Sequence, residues 1–475
     1  MTSLRPPPEK RTFTSPILEQ MLTRTAAMIA DPALAWLFTN CFPNTLDTTV
    51  TFNPDGGSGG GDGGADTFII TGDIDAMWLR DSTNQVWPYL PFAKDCPKLR
   101  DLFRGLIRRQ CRCVLLDPYA NAFYRTPDKV SQWKTDQTEM KPGVHERKYE
   151  LDSLSSVLRL ATGYFAATGD AGPMDDELFL PAVRRIVQTI KDEQAGTPEQ
   201  IHPRYSFARV TGNSTDTLAG GGHGNPCRRT IVPGGSQAAP STLLTGGMSR
   251  SPFRPSDDAG IFQYHIPANA MASVMLRRTG DMLLKTGRAT DLAALTVTLS
   301  FELDRALRTH AIIPHPVLGS VFAYEVDGYG SHVLMDDAGP PSLLSLPYLG
   351  YCKNTDPIYL KTRRLILSDA NPYFHQGKAG TGIGSPHIGL GWIWPLAIIT
   401  QAITSTDDAE ILECLRLLKR AHTGLPEGSG FMHEAFWMDD PSRYTRSWFA
   451  WANTYFGELI LHLAEHRPQV LQQKN

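Results

Sequence analysis

"ANAMASVMLRRTGDMLLKTGRATDLAALTVTLSFELDRALRTH", residues 268–310, carries the 3.6-residue stripe of an amphipathic helix twice. Gly287 closes the first stripe and only a short connector precedes the second. Two such stripes on a short connector pack as an antiparallel pair. The same text recurs outward in both directions. "ILEQMLTRTAAMIAD" follows Pro16, and "PKLRDLFRGLIRRQCRCVLLD" (97–117) sets Leu99, Leu102, Phe103, Leu106 and Ile107 on one face. "SLSSVLRLATGYFAATG" (153–169) and "PAVRRIVQTIKDEQ" (181–194) come next, then "WIWPLAIITQAIT", "DDAEILECLRLLKRAHTG" and "RSWFAWANTYFGELILHLAEH". Strand signals are sparse, with "TFIITGDIDAMW" and "GSVFAYEVDG" the two hairpin candidates. The pattern predicts an all-α fold of helix pairs with a few short β-hairpins in its connecting loops. No fixed-period repeat supports a solenoid.

A chain of 475 residues could hold about three domains, although a closed toroid of that size is one unit. The expected division is a flexible arm at 1–15, one domain at 16–467 and a tail at 468–475. Glycine-rich inserts are expected at 55–64 ("DGGSGGGDGG") and 212–247, where backbone entropy opposes regular structure. The formal charge of −3 provides no basic field for nucleic acid or anionic lipid. No run reaches the ~20 apolar residues of a membrane span, and the N-terminus has no signal-peptide core. The seven scattered cysteines fit reduced thiols. A cytoplasmic location is therefore expected, although the triplet at Asn213 leans the other way.

The chemistry concentrates in the connections between helices. "TGDIDAMWLRDSTNQVWPYL" (71–90) places Asp73, Asp75, Arg80 and Asp81 among Trp78 and other apolar residues, where charges need partners or a polar ligand. "HERKYELDS" (145–153) reads either as a ladder of surface ion pairs or as a charged wall, with Glu150 or Asp152 capping the next helix. In "FRPSDDAG" (253–260), Ser256 and either aspartate could cap a helix, or the acid pair could be reactive. "FMHEAFWMDDP" surrounds His433 and Glu434 with apolar side chains. Glu434 is then either a tuned base or the partner of Arg443 or Arg446. "SPHIGLGWIWP" joins His387 to Trp392 and Trp394, whose faces suit the C–H faces of a sugar ring. No zinc, calcium or P-loop spacing occurs, no nucleophile elbow stands out, and no dinucleotide fingerprint opens a βαβ unit. What remains is paired carboxylates acting without a cofactor, the requirement of glycoside hydrolysis.

"DIDAMWLRDS", "HERKYELDSL", "FRPSDDA", "PHIGLGWIWPLAI" and "HEAFWMDDPSRYTRSWFAWANTYFGELI" together resemble glycoside hydrolase family 125 over roughly residues 15–465. The resemblance implies an (α/α)6 toroid and a metal-independent, inverting exo-α-1,6-mannosidase that needs no cofactor and acts on mannose-containing oligosaccharides or glycans. It implies Glu434 as general base and one of Asp257 and Asp258 as general acid, with Asp257 the first choice. Asp75, Trp78, Arg80, Asp81, His145, Arg147, Glu150 and Asp152 are implied to bind the terminal sugar, as are Arg254, His387, Trp392, His433 and Arg446. The rival expectations are an α-glucosidase on the same toroid and a mannose-binding relative without catalysis.

Overall fold

Residues 268–310 fold as two antiparallel helices, Ile266–Lys285 and Thr290–His310. They approach closely because Gly280 faces the partner helix: a Cβ at 280 would lie 2.5 Å from Val297 Cγ2. The computed structural model describes residues 2–56, 64–200, 204–210, 214–220, 222–231, 247–423 and 429–473. Of the glycine-rich stretches expected at 55–64 and 212–247, residues 57–63, 212–213, 221 and 232–246 lie outside the described residues.

In chain order the principal helices are α1 (Pro16–Ala26), α2 (Pro32–Cys41), α3 (Leu79–Val86), α4 (Pro97–Leu116), α5 (Leu151–Thr168) and α6 (Phe179–Asp192). They continue with α7 (Ile266–Lys285), α8 (Thr290–His310), α9 (Pro357–Ile366), α10 (Pro395–Thr404), α11 (Asp408–His422) and α12 (Ala450–His466). Around the axis α3 packs on α5 and α5 on α7, while α10 packs on α12 and α12 returns to α3. The turns of 342–350 take the remaining inner place. Tyr348 there receives a hydrogen bond from Arg159 of α5 and donates one to Glu458 of α12, and Tyr359 of α9 donates to the Leu344 carbonyl. Outside, α4 meets α6, α6 meets α8, and α11 meets α2. Six inner and six outer elements make an (α/α)6 toroid, the expected fold.

The helix α3 has an unusual composition for its position. All eight of its residues are buried, although six of them are polar or charged (Arg80, Asp81, Ser82, Thr83, Asn84 and Gln85). Neighbours satisfy several of these groups: Gln110 donates to Ser82 and Thr83, and Gln85 donates to the Ile70 carbonyl. A polar helix on the toroid axis is stable only with such partners.

Short strands lead directly into three inner helices. Met77–Trp78 precedes α3 and pairs with Ala122–Phe123, which pairs with Val144–Glu146. Tyr264–His265 precedes α7 and pairs with Glu325–Val326. Trp392–Ile393 runs up to α10 and pairs with Phe436–Trp437, next to Asp440–Tyr444. These strands fix the loops at the N-terminal ends of the inner helices, where the acids collect.

The first and last residues pack on the body. Arg5 bonds both Asp47 and Glu19, and Phe13 is buried, so the segment read as a flexible arm is held by ion pairs. Val470 and Leu471 are buried in the segment read as a tail. All seven cysteines carry free thiols. Among the described residues no helix is long and apolar enough to cross a membrane.

Candidate active site

Arg80 is the hub. It lies in the first turn of α3 and is 3% exposed. Its Nη1 donates to Glu150 at 2.5 Å and Asp152 at 3.2 Å, its Nη2 donates to Asp257 at 3.1 Å, and its Nε faces Asp81 at 3.5 Å. Burial works against the guanidinium charge, but these four carboxylates hold it more firmly protonated than usual. Burial in turn pushes Asp81 up to about 6, with Arg80 opposing. Glu150 and Asp152 are the residues expected to cap α5. Glu150 does occupy the cap position, but no side-chain capping bond forms there, because both carboxylates turn to Arg80. The whole of "HERKYELDS" is buried, so the surface-ladder reading fails.

Asp257 sits in a turn closed by its N–H to the Arg254 carbonyl, with φ +65°. A non-glycine residue in the left-handed region is uncommon, and such strain is held only where surroundings enforce it. Here Lys148 Nζ grips the Asp257 carbonyl at 2.7 Å and Asn121 Nδ2 reaches its carboxylate at 3.4 Å. The helix-cap reading of this motif also fails, because Ser256 donates to Asp337 and α7 begins only at Ile266. Asp258 is buried beside His387, whose Nδ1 is 3.8 Å from Asp258 Oδ1, longer than a hydrogen bond. Burial opposes the His387 charge, yet Asp258 above all, then Glu434 and Asp257, raise it to about 9. With 34% of its side chain exposed, His387 is partly screened, so its charge is a local anchor more than a source of stability. Glu434 accepts from Thr445 Oγ1 at 3.0 Å and Arg446 Nη1 at 3.3 Å, and Arg446 is also paired with Asp73.

One cavity of about 100 Å³ joins these groups. Its wall includes Arg80, Asp81, Asp257, His387, Glu434 and Arg446, with Trp78, Trp394, Phe449 and Trp451 as apolar faces. At ~10–15 Å³ per water it holds several waters' worth of volume, the scale of one sugar ring and not of a polymer channel. Five buried polar atoms on this wall make no hydrogen bond among the described residues: Thr71 Oγ1, Trp78 Nε1 and Trp394 Nε1, together with Arg80 Nε and Asp81 Oδ2, which meet each other only as an ion pair at 3.5 Å. Leaving such atoms unmatched is costly, and a mixed set of donors and acceptors is matched by a ligand rich in hydroxyls. A larger cavity of about 720 Å³ lies between the C-terminal turns of α5, α7 and α12. Its walls are mainly apolar, and it contains none of the Arg80 cluster, so the chemistry belongs to the smaller one.

Several expected sugar-binding residues lie elsewhere. Asp75 is exposed and paired with Lys129, while its neighbour Asp73 turns to Arg446. Arg147 is buried against Asp117 and Thr138 and stands over the Tyr119 and Tyr205 rings. Arg254 is tied to Glu325 at 2.6 Å. Trp392 packs against Trp437 outside the cavity, and Trp394 takes the expected place on the wall. His433 stacks on Tyr444 and donates toward the Arg446 and Ser447 carbonyls, positioning the segment that carries Glu434's partner. His145 lies under Trp78 and Tyr124, and burial keeps it neutral more readily than usual. The sequence reading missed Asn121, Lys148 and Thr445. Lys148 and Thr445 lie inside quoted motifs, where their flanking acids and arginines drew the reading instead, and no motif marks Asn121.

Among the described residues no three His, Cys, Asp or Glu side chains group so as to hold a metal. Two carboxylates opening on one sugar-sized cavity in an (α/α)6 toroid define a glycoside hydrolase. Residues 31–461 match the metal-independent alpha-mannosidases, glycoside hydrolase family 125, and the chain belongs to that family. It is 42% identical to the meiotically up-regulated gene 157 protein of Schizosaccharomyces pombe, covering 99% of this chain and 90% of that protein. It is similar to a metal-independent alpha mannosidase structure from Streptococcus pneumoniae, a non-productive complex with alpha-1,6-mannobiose. The two share 37% identity and a TM-score of 0.85, over 96% of this chain and all of that one. A bacterial glucoamylase complexed with acarbose shares the fold alone, at 13% identity and a TM-score of 0.50 over 84% of this chain and 51% of that one.

Proposed function

We propose that the chain is an inverting, exo-acting hydrolase of non-reducing terminal α-1,6-linked mannose, taken from mannooligosaccharides or N-glycans. The observation that carries this reading is that Asp257 and Glu434 open on the same one-ring cavity. The mannobiose bound by the streptococcal relative supports the sugar and linkage. Glu434 removes a proton from water, the resulting hydroxide adds to the anomeric carbon, and Asp257 protonates the departing glycosidic oxygen. Inversion needs a water between the carboxyls, roughly 6.5–9.5 Å apart. Arg80, Asp81, Arg446 and the two indole N–H groups of Trp78 and Trp394 hold the ring hydroxyls. Asp258 keeps His387 charged at the rim.

Comparing two variants on two substrates separates the aspartates. Asp257→Asn should lose about 10²–10⁴ in kcat on α-1,6-mannobiose. It should lose far less on 2,4-dinitrophenyl α-mannoside, whose leaving group needs no proton. Asp258→Asn should show no such dependence on the leaving group. The opposite pattern would move the acid role to Asp258.

A further inference from the structure

A general acid must carry a proton, yet the surroundings of Asp257 oppose one. Burial would raise its pKa, but Arg80 first, then Glu150, Lys148 and His387, pull it below the usual carboxylate range. The geometry behind Asp257 supplies an answer. Glu150 has no exposed side-chain surface, whereas 21% of the Asp257 side chain is exposed toward the cavity. Glu150 therefore stands behind Asp257 and away from solvent. Two donors bridge the pair. Arg80 spans them through Nη1 and Nη2, and the Asn121 amide reaches Glu150 Oε1 at 3.3 Å and Asp257 Oδ1 at 3.4 Å. Ser153 adds a hydrogen bond to Glu150 Oε2 at 2.8 Å.

The charge balance requires a proton here. Asp81, Glu150, Asp152 and Asp257 surround Arg80, and the second nearby cation, Lys148, is shared with Glu146 and Asp216. Arg209 is engaged by Asp136 and Glu146, and Arg446 by Glu434 and Asp73. His145, which burial holds toward its neutral form, and the charged His387, shared with the adjacent Asp258 and with Glu434, are the remaining titratable groups near Asp257. Burying that many carboxylates on so few cations is tolerable only if one is protonated. Burial, reinforced by Asp257 and Asp152 and opposed by Arg80, pushes Glu150 well up.

Taking Asp257 as the acid, we propose that Glu150 is the proton store for the leaving-group half of the reaction, a positioning residue that acts only through Asp257. A sugar entering the cavity strips solvent from the exposed side of Asp257, which makes its charge more costly. The carboxyl O–H of Glu150 then passes its proton to Asp257. As the bond from the anomeric carbon to the glycosidic oxygen breaks, Asp257 gives that proton to the oxygen, and the hydroxyl of water joins the carbon while Glu434 takes the other proton. Glu434 releases its proton to solvent, and the Glu150–Asp257 pair recovers one.

Glu150→Gln tests this, because glutamine keeps the shape and cannot hand over an acidic proton. On α-1,6-mannobiose at pH 6–7, kcat should fall about 10–100-fold. The loss on 2,4-dinitrophenyl α-mannoside should be at least ~10-fold smaller. The alkaline limb of kcat/KM should move to lower pH by more than about one unit, since the proton is then lost at the depressed pKa of Asp257. Equal losses on both substrates, or an unmoved limb, would overturn the proposal and leave Glu150 an Arg80 anchor. Leaving-group dependence in Asp257→Asn but not in Glu150→Gln removes the store alone; its absence in Asp257→Asn removes the acid assignment and the store with it. Carboxyl-carbon NMR of the wild-type chain needs no variant at residue 150. At pH 6 a protonated glutamate should be visible besides Glu458, which burial raises to about 7, and Glu193, which burial also raises. Loss of every such signal in Glu458→Gln would also overturn the store.

Discussion

Glu434→Gln is expected to lose about 10³–10⁴ in kcat on α-1,6-mannobiose and to keep KM within a few-fold. The amide has the size of the carboxylate and accepts the Thr445 hydrogen bond, so the segment that carries it stays in place. Arg446 keeps its second anchor on Asp73, and the grip on the sugar hydroxyls is retained. What the amide cannot do is take a proton from water. An interaction made only as the reaction proceeds lowers kcat and kcat/KM together, and steady-state kinetics reads this directly. A variant that turned over at near the wild-type rate would take the base role from Glu434.

Arg80→Met is expected to cause the largest loss of stability. Methionine fills much of the same volume but leaves Asp81, Glu150, Asp152 and Asp257 without their shared cation. Breaking a buried ion pair by removing one partner costs about 3–5 kcal/mol, because the remaining charge has lost its compensation. The deficit depends on pH in a definite direction. Without the guanidinium the folded-state pKa of Asp257 rises from below its unfolded value near 4, and those of Asp81, Glu150 and Asp152, already above theirs, rise further. Their protonation then favours the folded state, so the gap between variant and wild type narrows as pH falls. Denaturation midpoints between pH 8 and 5 measure it. Arg80→Lys should recover part of the stability, since one ammonium supplies charge without the fork that spans Glu150 and Asp257. A deficit under about 1 kcal/mol, or one independent of pH, would mean that the cluster does not depend on Arg80.

The helices were legible wherever one face is apolar and the other wet. Residues 97–117 and 268–310 read correctly because their stripes face the core of the toroid. The helix α3 gave no stripe, since it is polar and buried on every side, and so its text reads as a motif and not as an element. The helices α2 and α9, ten residues each, were not read from the sequence, whereas the equally short α10 was, because its run is mainly apolar. Within the site, the types of residue were legible and their partners were not. Asp73 and Asp75 are two residues apart, yet one meets Arg446 and the other an exposed lysine. Glu150 follows a charged run that reads as solvated, and only the fold reveals that Arg80, 70 positions earlier, neutralises it. Asn121 lies in "YANAFY" with nothing chemical beside it, and it earns its place by touching three carboxylates brought from elsewhere.

Asp257 and Glu434, which open on one cavity of sugar-ring scale, are proposed to work from opposite sides of one mannose ring. Proton NMR of the first sugar released from α-1,6-mannobiose, with EDTA present, tests that arrangement most directly. The account predicts β-mannose as the initial product, later mixing with the α anomer by mutarotation, at a rate EDTA leaves unchanged. Initial release of α-mannose, or no cleavage of the disaccharide, would contradict it.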